Sequence, residues 1–362
     1  MMYTMQKYTF HVVNLPHTQT TAEYTHCAYT QKVRKFCNMM RDLGHEVILY
    51  ASEENEARVS ELVTVITKQK QREIFGDNDH TKNFFNITWG VYDPGWVEMN
   101  SNTIRAMASR IKPRDFICII GGTCQKVIAD AFPNNMAVEY GIGYDGTFSP
   151  YRVFESYPWL HTVHGLQRDH LHGSFYDTVI PNYYDAEEFP FAEKTDDYYL
   201  FIGRLNHDKG FGIAQEVCEK LDKRLILAGQ GEFSGYGEHV GVVGVEKRGE
   251  LMSKAIAVFT PSTYLEPFGG VHAESLMCGT PVITTNFGVF TETVTNGVNG
   301  YRCDVFREFV AAAQETAKFS TAKRRKIRAS AQARFSTKVV AGHYQSYFDR
   351  LYDLWGDGWY AA

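Results

Sequence analysis

Two glutamates, Glu266 and Glu274, stand eight positions apart in the stretch "EPFGGVHAESLMCGTP". Pro267 and the glycines Gly269 and Gly270 place the first in a turn, and the apolar run that follows predicts a helix starting near Gly270 and carrying the second. The free N–H groups at such a helix start attract an anion, helped by the helix dipole. Carboxylates on either side accept hydrogen bonds from hydroxyl groups. The spacing therefore describes a ligand with an anionic middle and hydroxylated ends, and a nucleotide-sugar has that shape. The alternative leaves Glu274 as a helix-dipole partner and Glu266 as a loop residue.

A second element supports the ligand reading. "FIGRLNHDKG" (201–210) is a strand followed by Gly203-Arg204 and then Lys209-Gly210 opening a helix. Glycine lets the backbone approach a phosphate, Arg204 can grip it through two N–H groups, and Lys209 adds a point charge.

Two other motifs carry less. "GIGYDG" (141–146) is a literal GxGxxG after a strand, but "TFSPYRVF" follows it where a dinucleotide site needs a helix. "DND" (77–79) imitates a metal-holding DxD but lies in the polar stretch "FGDNDHTKN" with no strand running into it, so a solvated loop is expected and no metal site is assigned.

These motifs must be positioned by a scaffold, and the chain supplies one. Strand-like runs alternate with helical ones at 8–15, 29–44, 45–51, 116–120, 136–140 and 177–181. The cycle then restarts at 198–203, 210–222, 224–229, 239–244, 248–255, 257–262 and 281–285. Short apolar strands alternating with helices predict parallel sheets covered on both faces. Two such series predict an α/β protein of two doubly wound domains, divided as 1–184 and 185–339. The segment "PNYYDAEEFPFAEKTDD" (181–197) reads as the hinge. The tail reads as helix throughout, its last part, about 340–362, crossing back onto the first domain. The basic run "STAKRRKIRASAQARF" (320–335) reads as a solvated face rather than a membrane surface.

Bulk properties narrow the field. The 362 residues suit two domains, and the net charge of −5 gives no reason to expect a nucleic-acid partner. No apolar run approaches a membrane span, and the N-terminus lacks the pattern of a signal peptide. Seven scattered cysteines without a CxxC pair fit free thiols in a reducing, cytoplasmic setting.

"EPFGGVHAE" resembles the E-x7-E signature of retaining glycosyltransferases of GT-B architecture, family GT4. "GHEVILYAS", "VIPNYYDAEEF", "FIGRLNHDKG", "LILAGQGE" and "PVITTNFGVFTETVTNGVNGY" resemble other parts of that family in order, most strongly over about 178–302. The resemblance implies two Rossmann-like domains facing a cleft, a UDP- or GDP-sugar donor and a hydroxyl acceptor on a glycan, lipid or protein. It implies no cofactor, the nucleotide-sugar being a substrate. Carried over by position, it puts Arg204 and Lys209 on the diphosphate, Glu266 on the transferred sugar and Glu274 on the ribose. Gly203, Gly231 and the backbone of Phe268, Gly269, Gly270 and Val271 would line the donor.

The first domain departs from the family. "NLPHTQTTAEYTH" replaces a glycine-rich loop, and "FICIIGGTCQ" has glycines where a histidine is common. His17, His26, Glu139, Tyr144, His161 and His164 are the candidate replacements on the acceptor side, each with a structural reading as well. The competing functions are a nicotinamide-dependent dehydrogenase, resting on "GIGYDG", and a non-catalytic nucleotide-sugar-binding module.

Overall fold

The computed structural model describes residues 6–24, 27–77, 87–167 and 174–354. The chain divides into two compact units. The first comprises residues 1–154, 163–180 and 341–362, and the second 155–162 and 181–340. His26 and two residues of "DND", 78 and 79, lie outside the described residues.

The elements of the first series are β1 (Thr9–Val13), α1 (Ala28–Asp42), β2 (Glu46–Ala51), β3 (Glu61–Thr64), α2 (Lys68–Phe75) and α3 (Pro94–Met107). They continue with β4 (Phe116–Ile119), α4 (Lys126–Ala131), β5 (Ala137–Ile142), β6 (Tyr151–Phe154), α5 (Tyr157–Leu166) and β7 (Thr178–Val179). The seven strands form one parallel sheet in the order β3-β2-β1-β4-β5-β6-β7. The central strands β4 and β5 are buried at every position, as a sheet covered on both faces requires. Helix α1 buries Val33, Phe36, Cys37 and Met40, a stripe at helical spacing. It ends at Gly44, whose φ of +80° lets His45 N–H return to Met40 O at 3.1 Å.

The second series holds β8 (Tyr199–Ile202), α6 (Phe211–Lys220), β9 (Leu225–Ala228), β10 (Glu238–His239), α7 (Val245–Lys254), β11 (Val258–Thr260) and α8 (Gly270–Met277). After these come β12 (Val282–Thr285), α9 (Phe290–Thr293), β13 (Gly300–Cys303), α10 (Phe306–Thr316), α11 (Thr321–Phe335) and α12 (Thr337–Leu354). Its six strands form a second parallel sheet, β10-β9-β8-β11-β12-β13. The α/β class and the two Rossmann-like parallel sheets are those expected from the alternation.

Several elements differ from the sequence reading. The short strands β3, β6 and β13 are too polar or too brief to register as apolar runs. The tail is helical, in three separate helices. Ser320 breaks it by capping α11, its hydroxyl accepting from Lys323 N–H, and Ser336 takes an extended backbone before α12. Residues 341–354 of α12 pack within the first unit. There Phe348 meets Phe10 and Phe116 with ring centroids 4.6 and 4.9 Å apart, and Gln345 bonds His45 at 2.7 Å.

The basic helix α11 is not wholly a solvated face. Arg324 is buried and donates to the carbonyls of Ala192 and Ser253 and to the hydroxyl of Thr280. Arg328 donates to the carbonyls of Phe189, Ala186 and Met277. These two cations satisfy carbonyls of residues 186–192 that no sheet or helix ladder reaches, so the segment read as a hinge is built into the second unit. Among the described residues no helix is long and apolar enough to cross a membrane. All seven cysteines are free.

Candidate functional site

The carboxyl edge of the second sheet gathers the sequence-predicted residues. Beyond β8, Asn206 Oδ1 accepts from Lys209 N–H at 3.1 Å and caps the short 3-10 turn His207–Lys209. Gly210 follows with φ +71°, and a Cβ there would sit 2.2 Å from the carbonyl oxygen of Pro261, so only glycine lets α6 start this close to the next loop. The turn aims Lys209 at the segment after β11. Its Nζ donates to Glu266 Oε1 at 2.6 Å and to Tyr264 Oη at 2.7 Å.

Glu266 is buried and takes two more hydrogen bonds, from Ser262 Oγ at 2.7 Å and from Tyr264 Oη at 2.5 Å. A desolvated carboxylate requires such donors, and the ammonium group is the strongest of them. Burial, and then the Glu266 charge beside it, push the Tyr264 phenol up, so it stays a donor; the Arg204 charge acts on the same phenol in the opposite sense.

Eight residues on, Glu274 is also buried, on the inner face of α8. Arg248, from α7, donates from Nη2 to Oε1 at 3.0 Å, and its Nε lies 2.9 Å from Oε2 as an ion-pair contact without hydrogen-bond geometry. Helix α8 starts after Gly269, whose left-handed backbone (φ +69°) turns the chain into the helix. His272 Nδ1 lies 2.5 Å from the Gly269 carbonyl, donating across that turn. The ring is sealed between Phe268 and Phe290, at 5.4 Å from each, and burial pushes its pKa down to about 4, so it is neutral. In the first turn of α8 the N–H of His272 returns to Gly269 O at 3.1 Å, while those of Gly270 and Val271 have no acceptor within the helix.

Two loops, one buried carboxylate held by a lysine and another by an arginine, surround one helix start. Residues 185–334 match the family described as glycosyl transferases group 1. Over this stretch the chain is similar to group 1 glycosyltransferases.

The relatives agree. Glycogen synthase of Mycobacterium tuberculosis is 31% identical over 154 residues, covering 35% of this chain and 36% of that protein. The match thus spans about a third of the relative's length. Solved structures extend the likeness to nearly the whole chain. AviGT4, a glycosyltransferase involved in avilamycin A biosynthesis, aligns with a TM-score of 0.67 at 18% identity over 96% of this chain and 98% of its own. HepE of Anabaena, in complex with UDP and glucose, aligns with a TM-score of 0.63 at 14% identity over 94% and 99%. These likenesses carry the GT-B fold.

Within residues 185–334, sequence reasoning missed Arg248, Ser262, Tyr264 and His272. Tyr264 and Ser262 flank Glu266 and could have been found from the need of a buried carboxylate for donors. Arg248 has no local signal, because its partner belongs to another helix. The Phe268 side chain is core, stacked near Tyr184 and edge-on to Phe335, so only its backbone is available to a ligand. Gly231 (φ +141°) lies against Leu205, joining the turn after β9 to the one after β8.

Among the described acceptor-side candidates, Glu139 and Tyr144 are joined. Glu139 is fully buried on β5, accepting from Phe148 N–H at 2.9 Å, Ser149 N–H at 2.8 Å and Tyr144 Oη at 3.2 Å. Burial pushes its pKa up to about 7 against those hydrogen bonds. It braces the loop after β5. His164 Nε2 is 2.9 Å from Asp177, which also takes Arg152 in a two-point ion pair at 2.8 Å. His17 stands edge-on to Phe75, its pKa pushed down to about 4 by burial. His161 lies beside Tyr157. "GIGYDG" leads from β5 through a loop into β6, so the helix start that a dinucleotide would need is not there.

Proposed function

We propose that the chain is a retaining glycosyltransferase that moves a hexose from a UDP- or GDP-sugar to a hydroxyl group on a glycan, lipid-linked or other acceptor. The observation that carries this reading is the Lys209–Glu266 pair at 2.6 Å beside the start of α8, with Glu274 one face further on. HepE, of like fold, holds UDP and glucose, which supports a diphosphate between a ribose and a sugar.

In this reading Arg204, Lys209 and the first N–H groups of α8 stabilise charge on the leaving diphosphate. Lys209 is shared between Glu266 and a phosphate oxygen. Glu266 orients the transferred sugar, Glu274 the ribose, and Gly203, Gly231 and the backbone of Phe268–Val271 admit the donor closely. The acceptor hydroxyl attacks on the face the diphosphate leaves, its proton passing to a donor phosphate oxygen, so configuration is retained without a protein nucleophile. Fixed cations do the work a metal ion does elsewhere.

A thermal-shift panel of nucleotide-sugars and their diphosphates tests the reading. A ligand at 100 times its dissociation constant adds about 2.7 kcal/mol if it binds only the folded state. Lys209→Ala should abolish the shift and turnover while the melt stays cooperative. A panel in which no nucleotide-sugar or diphosphate raises the midpoint would exclude the proposal, and so would loss of turnover on chelation that added divalent metal restores, for its metal-independent form.

A further inference from the structure

The carboxyl edge of the first sheet contains a cavity of about 350 Å³ that the donor chemistry does not use. It lies beyond β4 and β5, next to β1, where the strand order reverses direction and ligands commonly bind in doubly wound sheets. Its size falls in the small-molecule range of about 300–1,000 Å³. Three aromatic residues, Tyr29, Trp89 and Tyr144, line its walls, and residues 121–124 and 146 its floor.

The walls are held in place. Tyr29 lies in the first turn of α1, donates its hydroxyl to Gly143 O at 3.1 Å, and stands edge-on to Trp89 and Tyr144 at 6.1 and 6.0 Å. Tyr144 is fixed at its far end by Glu139. Gly122, with φ +55°, brings the floor against the Tyr144 ring; a Cβ there would sit 2.9 Å from the ring and 2.5 Å from Gly146 O. Thr123 N–H closes the floor on Gly146 O at 2.8 Å. Trp89, at the rim, is 46% exposed, an unusual position for so large an apolar ring.

The polar groups define the ligand. Asp145 supplies a carboxylate and Thr123 a hydroxyl, and among the described residues no lysine or arginine lines the cavity. The ammonium of Lys32 stands 4.8 Å from the Tyr29 ring outside the lining, donates to Gly141 O at 3.0 Å and has its pKa pushed down to about 7 by burial, so a phosphate or a sugar acid would meet the Asp145 carboxylate first. Aromatic faces with a carboxylate at the rim match a neutral ring that is apolar on its C–H face and hydroxylated around its edge. We propose that this cavity binds a pyranose ring of a neutral saccharide. Resting on the transferase reading above, that ring belongs to the acceptor.

Saturation-transfer NMR on the full-length chain, with no nucleotide present, tests this with four probes: methyl α-glucoside, methyl α-galactoside, methyl α-mannoside and maltose. At least one should receive magnetisation at its ring C–H protons. Trp89→Ala should weaken its binding at least tenfold, Trp89→Phe less, and Asp145→Asn several-fold. Glucuronate should bind more weakly than the neutral sugars in the parent and gain in Asp145→Asn. The thermal shift by UDP or GDP should be the same in parent and all three variants, which also shows that they fold. Absence of transfer to all four probes overturns the inference, as does binding that Trp89→Ala leaves unchanged, or binding of p-nitrophenol in preference to every sugar. Sugar binding without any response to nucleotide-sugars would keep the cavity assignment and reject the transferase reading. A nucleotide response without sugar binding would do the reverse.

Discussion

Lys209 Nζ stands 2.6 Å from Glu266 Oε1, joining the turn after β8 to the segment after β11. The glutamate side chain is 8% exposed and the lysine 21%, so the pair is partly desolvated and each charge depends on the other. Lys209→Met should destabilise the protein by about 1–3 kcal/mol, because it strands a buried carboxylate on hydroxyl donors alone. Adding Glu266→Gln should recover most of the loss. Urea denaturation of the two single variants and the double gives the coupling, expected at about 1 kcal/mol or more. Additive losses would mean that the ion pair does not contribute to the fold.

The two glutamates should separate kinetically. Glu266→Gln, at the reacting end, should lower kcat by ~10²-fold, the scale of one transition-state contact. Glu274→Gln should act on donor affinity, since ribose is held alike in ground and transition states. Arg248→Ala should follow Glu274→Gln, weakening inhibition by free nucleoside diphosphate about tenfold, because Arg248 pairs with Glu274 through one hydrogen bond and an ion-pair contact. Arg248→Lys should recover only part of this, lacking the planar fork. Equal loss of diphosphate inhibition in the Glu266 and Glu274 variants would reject the assignment.

His272 makes a pH prediction. Its pKa falls from an ordinary 6.5 to about 4 through burial. The unfolded chain therefore binds a proton that the folded one refuses between those values. The contribution to stability is complete above pH 6.5 and is lost as pH falls toward 4. At pH 5 the loss is on the order of 2 kcal/mol. His17 acts in the same direction, and Glu139, raised to about 7, in the opposite one. The comparison is thus with His272→Asn, which keeps a donor for Gly269 O and cannot titrate. Denaturant midpoints at pH 7 and pH 5 should show the parent's advantage over this variant shrinking on acidification. A constant gap would show that His272 does not titrate in this way.

Gly229 is irreplaceable for a steric reason. A Cβ at this position would sit 1.8 Å from the carbonyl oxygen of Gly203, and φ is +143°. Gly229→Ala must push the ends of β8 and β9 apart, at the edge that carries Arg204 and Lys209. A lower melting midpoint is expected together with loss of the thermal shift by diphosphate. Gly212→Ala, on α6 with nothing within 4 Å of its Cβ, serves as the control and should leave both unchanged.

The sequence by itself determined the class of fold, the two strand series and the core of the donor-side motif. Each of these is a local pattern: apolar runs of strand length, glycines where the chain must turn, and Glu266 and Glu274 separated by a helix start. Such features are contiguous, so their physics is present before the chain folds. Only the tertiary structure decided that Lys209 grips Glu266, that Arg248 clamps Glu274, and that Arg324 and Arg328 anchor residues 186–192. Tyr29, Trp89 and Tyr144 become neighbours for the same reason. Those partners come from different strands and helices, and sheet order brings them together. The polar strands β3, β6 and β13 were hidden likewise, since their place comes from pairing with a neighbour rather than from apolar character of their own.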